Sequence, residues 1–138
     1  MEIKATATAD VTNWNEQDYD RPDGQPRLAQ LEFGYAYRGD LEAEGSARGQ
    51  LVYRDADTAE FTALERVSGR IGDRSGTFVV RTGGLFENGA ITYEWSVVPG
   101  TATGGLEGLS GSGEMVWVHG ESGNLTFAYH LPSTPTGS

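Results

Sequence analysis

From Ile3 to Val11 the chain alternates without a break, with Ile3, Ala5, Ala7, Ala9 and Val11 at odd positions and Glu2, Lys4, Thr6, Thr8 and Asp10 at even ones. A period of two puts every apolar side chain on one face of an extended strand and suits no helix. The same register returns in Leu31, Phe33, Tyr35 and Tyr37, then along Leu41 to Tyr53, then in Ala59, Phe61, Ala63, Glu65, Val67 and Ile71. After Gly72-Asp73 the apolar set moves to Phe78, Val80, Thr82 and Phe86, and it reverts to odd positions at Ile91, Tyr93, Trp95 and Val97. A last run carries Leu125, Phe127, Tyr129 and Leu131.

Turn-forming pairs separate these runs: Gly39-Asp40, Asp55 to Asp57, Gly72-Asp73, Asn88-Gly89, Pro99-Gly100 and Ser122 to Asn124. With the glycine-rich segment Gly104 to Trp117 taken as a strand, the count is about eight, and no window holds a helical period. Short turns between consecutive strands predict an all-β, antiparallel up-and-down barrel, since closure removes both exposed edges. A two-sheet sandwich is the competing architecture. The stretch Thr12 to Leu28 reads as irregular and able to cap one barrel end. The 138 residues suffice for one core. The expectation is therefore a single domain over 1–131 and a disordered tail from Pro132 to Ser138. Twenty glycines, about twice the usual share, then serve as strand punctuation, and Gly45 and Gly49 on an inward face leave interior space.

Charge and cysteine narrow the function classes. A net charge of −10 disfavours nucleic acid and anionic membrane surfaces. The absence of cysteine removes thiol catalysis and thiolate metal sites. With no apolar run long enough for a signal peptide or a membrane span, the reading is a soluble, cytoplasmic protein. A homodimer is compatible with all of this.

Glu65 is the candidate catalytic residue, a carboxylate on an otherwise apolar strand face. Desolvation there raises the pKa toward the range useful for general acid or base work. The alternative is a structural partner for a nearby arginine or tyrosine. Tyr35, Tyr37, Tyr53, Phe61, Thr82, Tyr93, Trp95 and Tyr129 fall on inward faces and are candidate ligand-binding residues, suited to a small hydrophobic ligand carrying a few oxygens. The same rings also suit a filled core. No metal site is expected. His119 and His130 stand eleven positions apart, a weak metal-ligand spacing, and Asp18, Asp20 and Asp23 miss the calcium-loop spacing. Neither a phosphate loop nor a hydrolase elbow occurs among the glycines from Gly104 to Gly113.

Several segments resemble a bacterial family, the domain of unknown function 3224. They are Val11-Thr12-Asn13-Trp14, Tyr37-Arg38-Gly39-Asp40-Leu41, Leu64-Glu65-Arg66-Val67-Ser68-Gly69, Arg74-Ser75-Gly76-Thr77-Phe78 and the block Trp95 to Gly113. The resemblance runs from about Ala5 to Leu131. That family is similar to the allene oxide cyclase-like barrels, which implies an eight-stranded barrel with a central cavity and cofactor-free isomerase or cyclase chemistry on greasy substrates. Glu65 and Trp95 match the family's inward glutamate and tryptophan. Thr82 stands where many members have histidine, and Tyr35 where they have a basic residue, so a glutamate–histidine pair is broken here. Three functions follow as expectations: a cyclase or isomerase using Glu65, a non-catalytic binding protein using the same lumen, or a structural or interaction protein with a filled core.

Overall fold

The computed structural model describes residues 2–55, 57–118 and 122–132. Its strands are β1 (Ile3–Asp20), β2 (Arg27–Gly39), β3 (Leu41–Tyr53), β4 (Thr58–Ile71), β5 (Arg74–Glu87), β6 (Ala90–Val97), β7 (Ser110–Val118) and β8 (Gly123–His130). Each pairs antiparallel with the next, and β8 returns to β1 in a ladder from Ile3↔Tyr129 to Ala9↔Gly123. The sheet is a closed up-and-down barrel, which sets the sandwich aside. Among the described residues no helix is long and apolar enough to cross a membrane. His119, Ala56 and residues 133–138 of the tail lie outside the described residues.

The alternating positions become the core. Ala5, Ala7 and Ala9 of β1, Phe33, Tyr35 and Tyr37 of β2, Val67 of β4, Phe78 and Val80 of β5, and Trp95 of β6 are all buried. Asn88 (φ 52°) and Gly89 (φ 83°) join β5 to β6 in a two-residue left-handed turn, as this dipeptide does between twisted strands.

Two expectations need correction. The stretch Thr12 to Leu28 is largely strand: β1 continues to Asp20, β2 begins at Arg27, and only the intervening residues turn. A register shift between Val11 and Asn13 marks a bulge, with Trp14 then opposite Phe33. The alternation fails there because β8 stops pairing at Ala9, so the rest of β1 is mostly solvent-exposed and mostly polar. The second correction is at Gly104 to Trp117, where β7 starts only at Ser110. Gly104 (φ 63°) and Gly108 (φ 85°) hold left-handed backbone that a strand cannot contain.

The residues before β7 close one end of the barrel. Thr77 N–H donates to Thr103 Oγ1 (3.2 Å), Thr103 N–H donates to Thr77 O (2.8 Å), and a 3-10 turn at Gly104–Leu106 follows. Gly76 makes the approach feasible, since a Cβ there would lie 2.0 Å from Thr103 O. Leu106 and Leu109 join the core, and Leu106 has no exposed surface. Leu106→Ala is expected to lower unfolding free energy by about 2–5 kcal/mol in a denaturant titration. A loss below about 1 kcal/mol would mean that this segment is no part of the core.

Candidate functional site

The opposite end, where the β1–β2, β3–β4 and β5–β6 hairpins lie, is open and holds a cavity of about 380 Å³. Alternation supplies most of its wall: Phe33 and Tyr35 from β2, Leu51 and Tyr53 from β3, Phe61 from β4, Ile91 and Tyr93 from β6. The bulge in β1 supplies the rest. By inserting one residue it moves the inward parity from odd to even, so Trp14 and Glu16 face the cavity after Val11. The Trp14 and Phe33 rings stand 5.7 Å apart. At the rim the Tyr53 hydroxyl donates to Glu16, and the Arg27 guanidinium lies 3.8 Å over the Tyr53 ring. Partial burial and the bond to Glu16 push the Tyr53 phenol up to about 12.

Glu65 sits deeper and does not line this cavity. It has no exposed surface, and Oε2 accepts a hydrogen bond from the Tyr37 hydroxyl. The bond spans two strands of separation, β2 to β4, and passes over β3 at Gly45. A Cβ at Gly45 would fall 1.9 Å from Glu65 Oε2. The interior space expected there is thus taken by the carboxyl group, and at Gly49 a Cβ would meet the Thr62 carbonyl at 2.1 Å. Burial raises the Glu65 pKa from 4.5 to about 7, opposed only in part by the Tyr37 hydrogen bond.

The polar atoms around Glu65 are incompletely paired. Glu65 Oε1, the Tyr93 hydroxyl and Trp95 Nε1 are buried without a hydrogen-bond partner. Tyr93 interacts with the Tyr35 hydroxyl, and Trp95 with that of Tyr37, but neither atom, Tyr93 OH or Trp95 Nε1, reaches hydrogen-bond geometry. Tyr35, Tyr37 and Tyr93 all have their pKa values raised, first by burial, so their phenols stay neutral at physiological pH.

Of the residues singled out from sequence, the structure therefore gathers Tyr35, Tyr53, Phe61 and Tyr93 around the cavity. Tyr37, Glu65 and Trp95 form the buried cluster beneath it. Thr82 is fully enclosed, its hydroxyl 3.5 Å from the Ala63 carbonyl, and Tyr129 lies near the opposite end, its ring 5.6 Å from Phe127 and in a groove with Ile3 and Ile71. Neither Thr82 nor Tyr129 reaches the cavity. Trp14, Glu16, Phe86 and Ile91 are lining residues outside the expected set, and a lone tryptophan in a polar stretch was the available signal for Trp14.

Comparison with known proteins adds a family and a fold. No curated protein matches the chain. One solved structure, a crystal structure of a protein with unknown function from the DUF3224 family of Shewanella oneidensis MR-1, is 22% identical over 96% of this chain and 100% of its own, with a TM-score of 0.73. At that identity the likeness concerns the fold. The sequence pattern described as "Protein of unknown function (DUF3224)" matches residues 5–129, so the chain belongs to the DUF3224 family.

Proposed function

We propose that this chain binds a small, mainly apolar molecule in the cavity at the open end of the barrel. The observation that carries the reading is the cavity itself: about 380 Å³, within the usual range of small-molecule sites, walled by aromatic and aliphatic side chains while the barrel below is filled. The charge of −10 fits an uncharged or cationic small partner better than a nucleic acid.

A second reading, cofactor-free isomerase or cyclase chemistry in the manner of the allene oxide cyclase-like barrels, rests on Glu65. A carboxyl group with a pKa near 7 and one free oxygen is suited to proton transfer. It lies below the floor rather than in the wall, so a substrate atom would have to pass Tyr35 and Tyr93 to meet it. Binding is the simpler function.

The test is titration with N-phenylnaphthylamine, an uncharged probe that fluoresces in apolar sites. Wild type is expected to bind one equivalent in the micromolar range. Ala59→Phe, which puts a ring into the cavity, and Ile91→Trp at its wall are each expected to weaken binding at least about tenfold. Wild-type affinity in both folded variants would refute the reading. Mass spectrometry of any molecule carried through purification separates the two readings: return of that molecule unchanged after incubation favours binding, and its rearrangement favours catalysis.

A further inference from the structure

The polarity of the cavity is concentrated at its two ends. Its lining contains no lysine, arginine or histidine, and its residues with polar groups are Trp14, Glu16, Tyr35, Tyr53 and Tyr93. At the rim, Glu16 and Tyr53 satisfy one another, and Arg27 is engaged by Asp18 at 3.4 Å and by the Tyr53 ring. At the floor the situation differs. The Tyr35 and Tyr93 rings line the cavity, and both phenols lie within electrostatic reach of the Glu65 carboxyl behind them. The buried Tyr93 hydroxyl meets that of Tyr35, and Trp95 Nε1, one inward position deeper on β6, meets that of Tyr37, both without full hydrogen-bond geometry, while Glu65 Oε1 has no partner.

Buried polar groups without partners are unfavourable, and native proteins rarely leave several together. Here two donors, the Tyr93 O–H and the Trp95 N–H, stand with one acceptor, Glu65 Oε1. The other polar groups of this layer are uncharged as well: the phenols of Tyr35 and Tyr37, and the hydroxyl of Thr82, which stands cross-strand from Trp95 and lies 3.5 Å from the Ala63 carbonyl. An uncharged oxygen function matches such a set. A carboxylate does not: it would be desolvated among apolar walls, between the carboxyl groups of Glu16 and Glu65, with no lining cation to balance it.

We propose, resting on the reading that the cavity binds an apolar molecule, that its ligand carries a single uncharged hydroxyl or carbonyl head. That head enters at the floor by moving the Tyr35 and Tyr93 rings apart, and takes the Tyr93 hydroxyl as its first partner with Trp95 Nε1 and Glu65 Oε1 behind. The site discriminates against carboxylate-headed molecules of the same shape.

Calorimetric titration of the full chain with naphthalene, naphthol and naphthoate near neutral pH tests this, because the three share a ring system and differ in the head. Naphthol is expected to bind about three- to tenfold more tightly than naphthalene, the value of one net neutral hydrogen bond. Naphthoate is expected to bind at least about a hundredfold more weakly than naphthol. In Tyr93→Phe the ratio of naphthol to naphthalene affinity is expected to fall to about one. In wild type, NMR should show the Trp95 indole N–H resonance moving with naphthol and much less with naphthalene, a readout that needs no variant to fold. Equal binding of naphthoate and naphthol, or an indole resonance indifferent to the head group, would overturn the proposal and leave the apolar cavity standing. Failure of naphthalene and naphthol alike to bind would overturn the cavity reading itself.

Discussion

Gly45→Ala is expected to destabilise the barrel by about 3 kcal/mol, far more than an alanine in a strand would cost on its own. The added Cβ would stand 1.9 Å from Glu65 Oε2, 2.9 Å from its Cδ and 3.2 Å from its Cγ. A flexible carboxylate could swing aside on a surface. Here Glu65 has no exposed surface and is held by Tyr37, so moving it breaks a buried hydrogen bond and overpacks the layer. The cause is separable from ordinary glycine effects by a double-mutant cycle. With Glu65→Ala in the background, Gly45→Ala is expected to cost less than about 1 kcal/mol, a coupling near 2 kcal/mol. Gly49 is the control. Its Cβ would meet the Thr62 carbonyl at 2.1 Å, a backbone atom unrelated to Glu65, so Gly49→Ala should be equally harmful in both backgrounds. Denaturant melts of the four combinations decide the matter, and additive losses at Gly45 and Glu65 would show that the glycine is not there to seat the carboxylate.

This coupling also marks where a single sequence stops being readable. Period 2 located the strands and the inward faces because a barrel wall has one dry side, and the buried Ala5, Phe33, Val67, Phe78 and Trp95 follow it. It placed Glu65 inward on the same grounds. What alternation lacks is depth along the barrel axis. Tyr35 and Tyr37 share one face of β2, yet the first lines the cavity and the second is sealed under it against Glu65. Nor does it show which inward glycine opens space and which is filled from a neighbouring strand, since that depends on the register between β3 and β4, where Gly45 pairs with Val67 and Glu65 leans across from beside Ala47. Trp14 and Glu16 escaped for a different reason: one inserted residue at the β1 bulge inverts the side chains from Asn13 to Asp18, and in a polar stretch the lone tryptophan is the sole hint of it. The glycine segment after Gly104 failed through chemistry, because left-handed φ values at Gly104 and Gly108 make a closing loop out of residues that otherwise punctuate strands.

The same buried carboxyl group makes the stability of the wild-type protein fall as pH rises from about 4.5 to about 7. In that window the unfolded chain has already released the Glu65 proton while the folded chain keeps it, its pKa having been raised from 4.5 to about 7 chiefly by burial. The folded state binds the extra proton, so the slope of unfolding free energy against pH is negative. The stabilisation is complete below pH 4.5, declines through the window and is gone above about 7. The full difference corresponds to about 3 kcal/mol. The surrounding phenols of Tyr35, Tyr37 and Tyr93 remain neutral throughout, so they add no slope of their own. The informative quantity is the difference between wild type and Glu65→Gln. A glutamine of the same shape can still accept from the Tyr37 hydroxyl and cannot ionise. Between pH 5 and pH 8 the wild type is expected to lose about 2.5 kcal/mol relative to this variant in matched denaturant titrations. Parallel curves across that range would mean that Glu65 titrates normally in the fold. That result would remove both the acid/base reading of the residue and the view that its carboxyl group stays uncharged below pH 7.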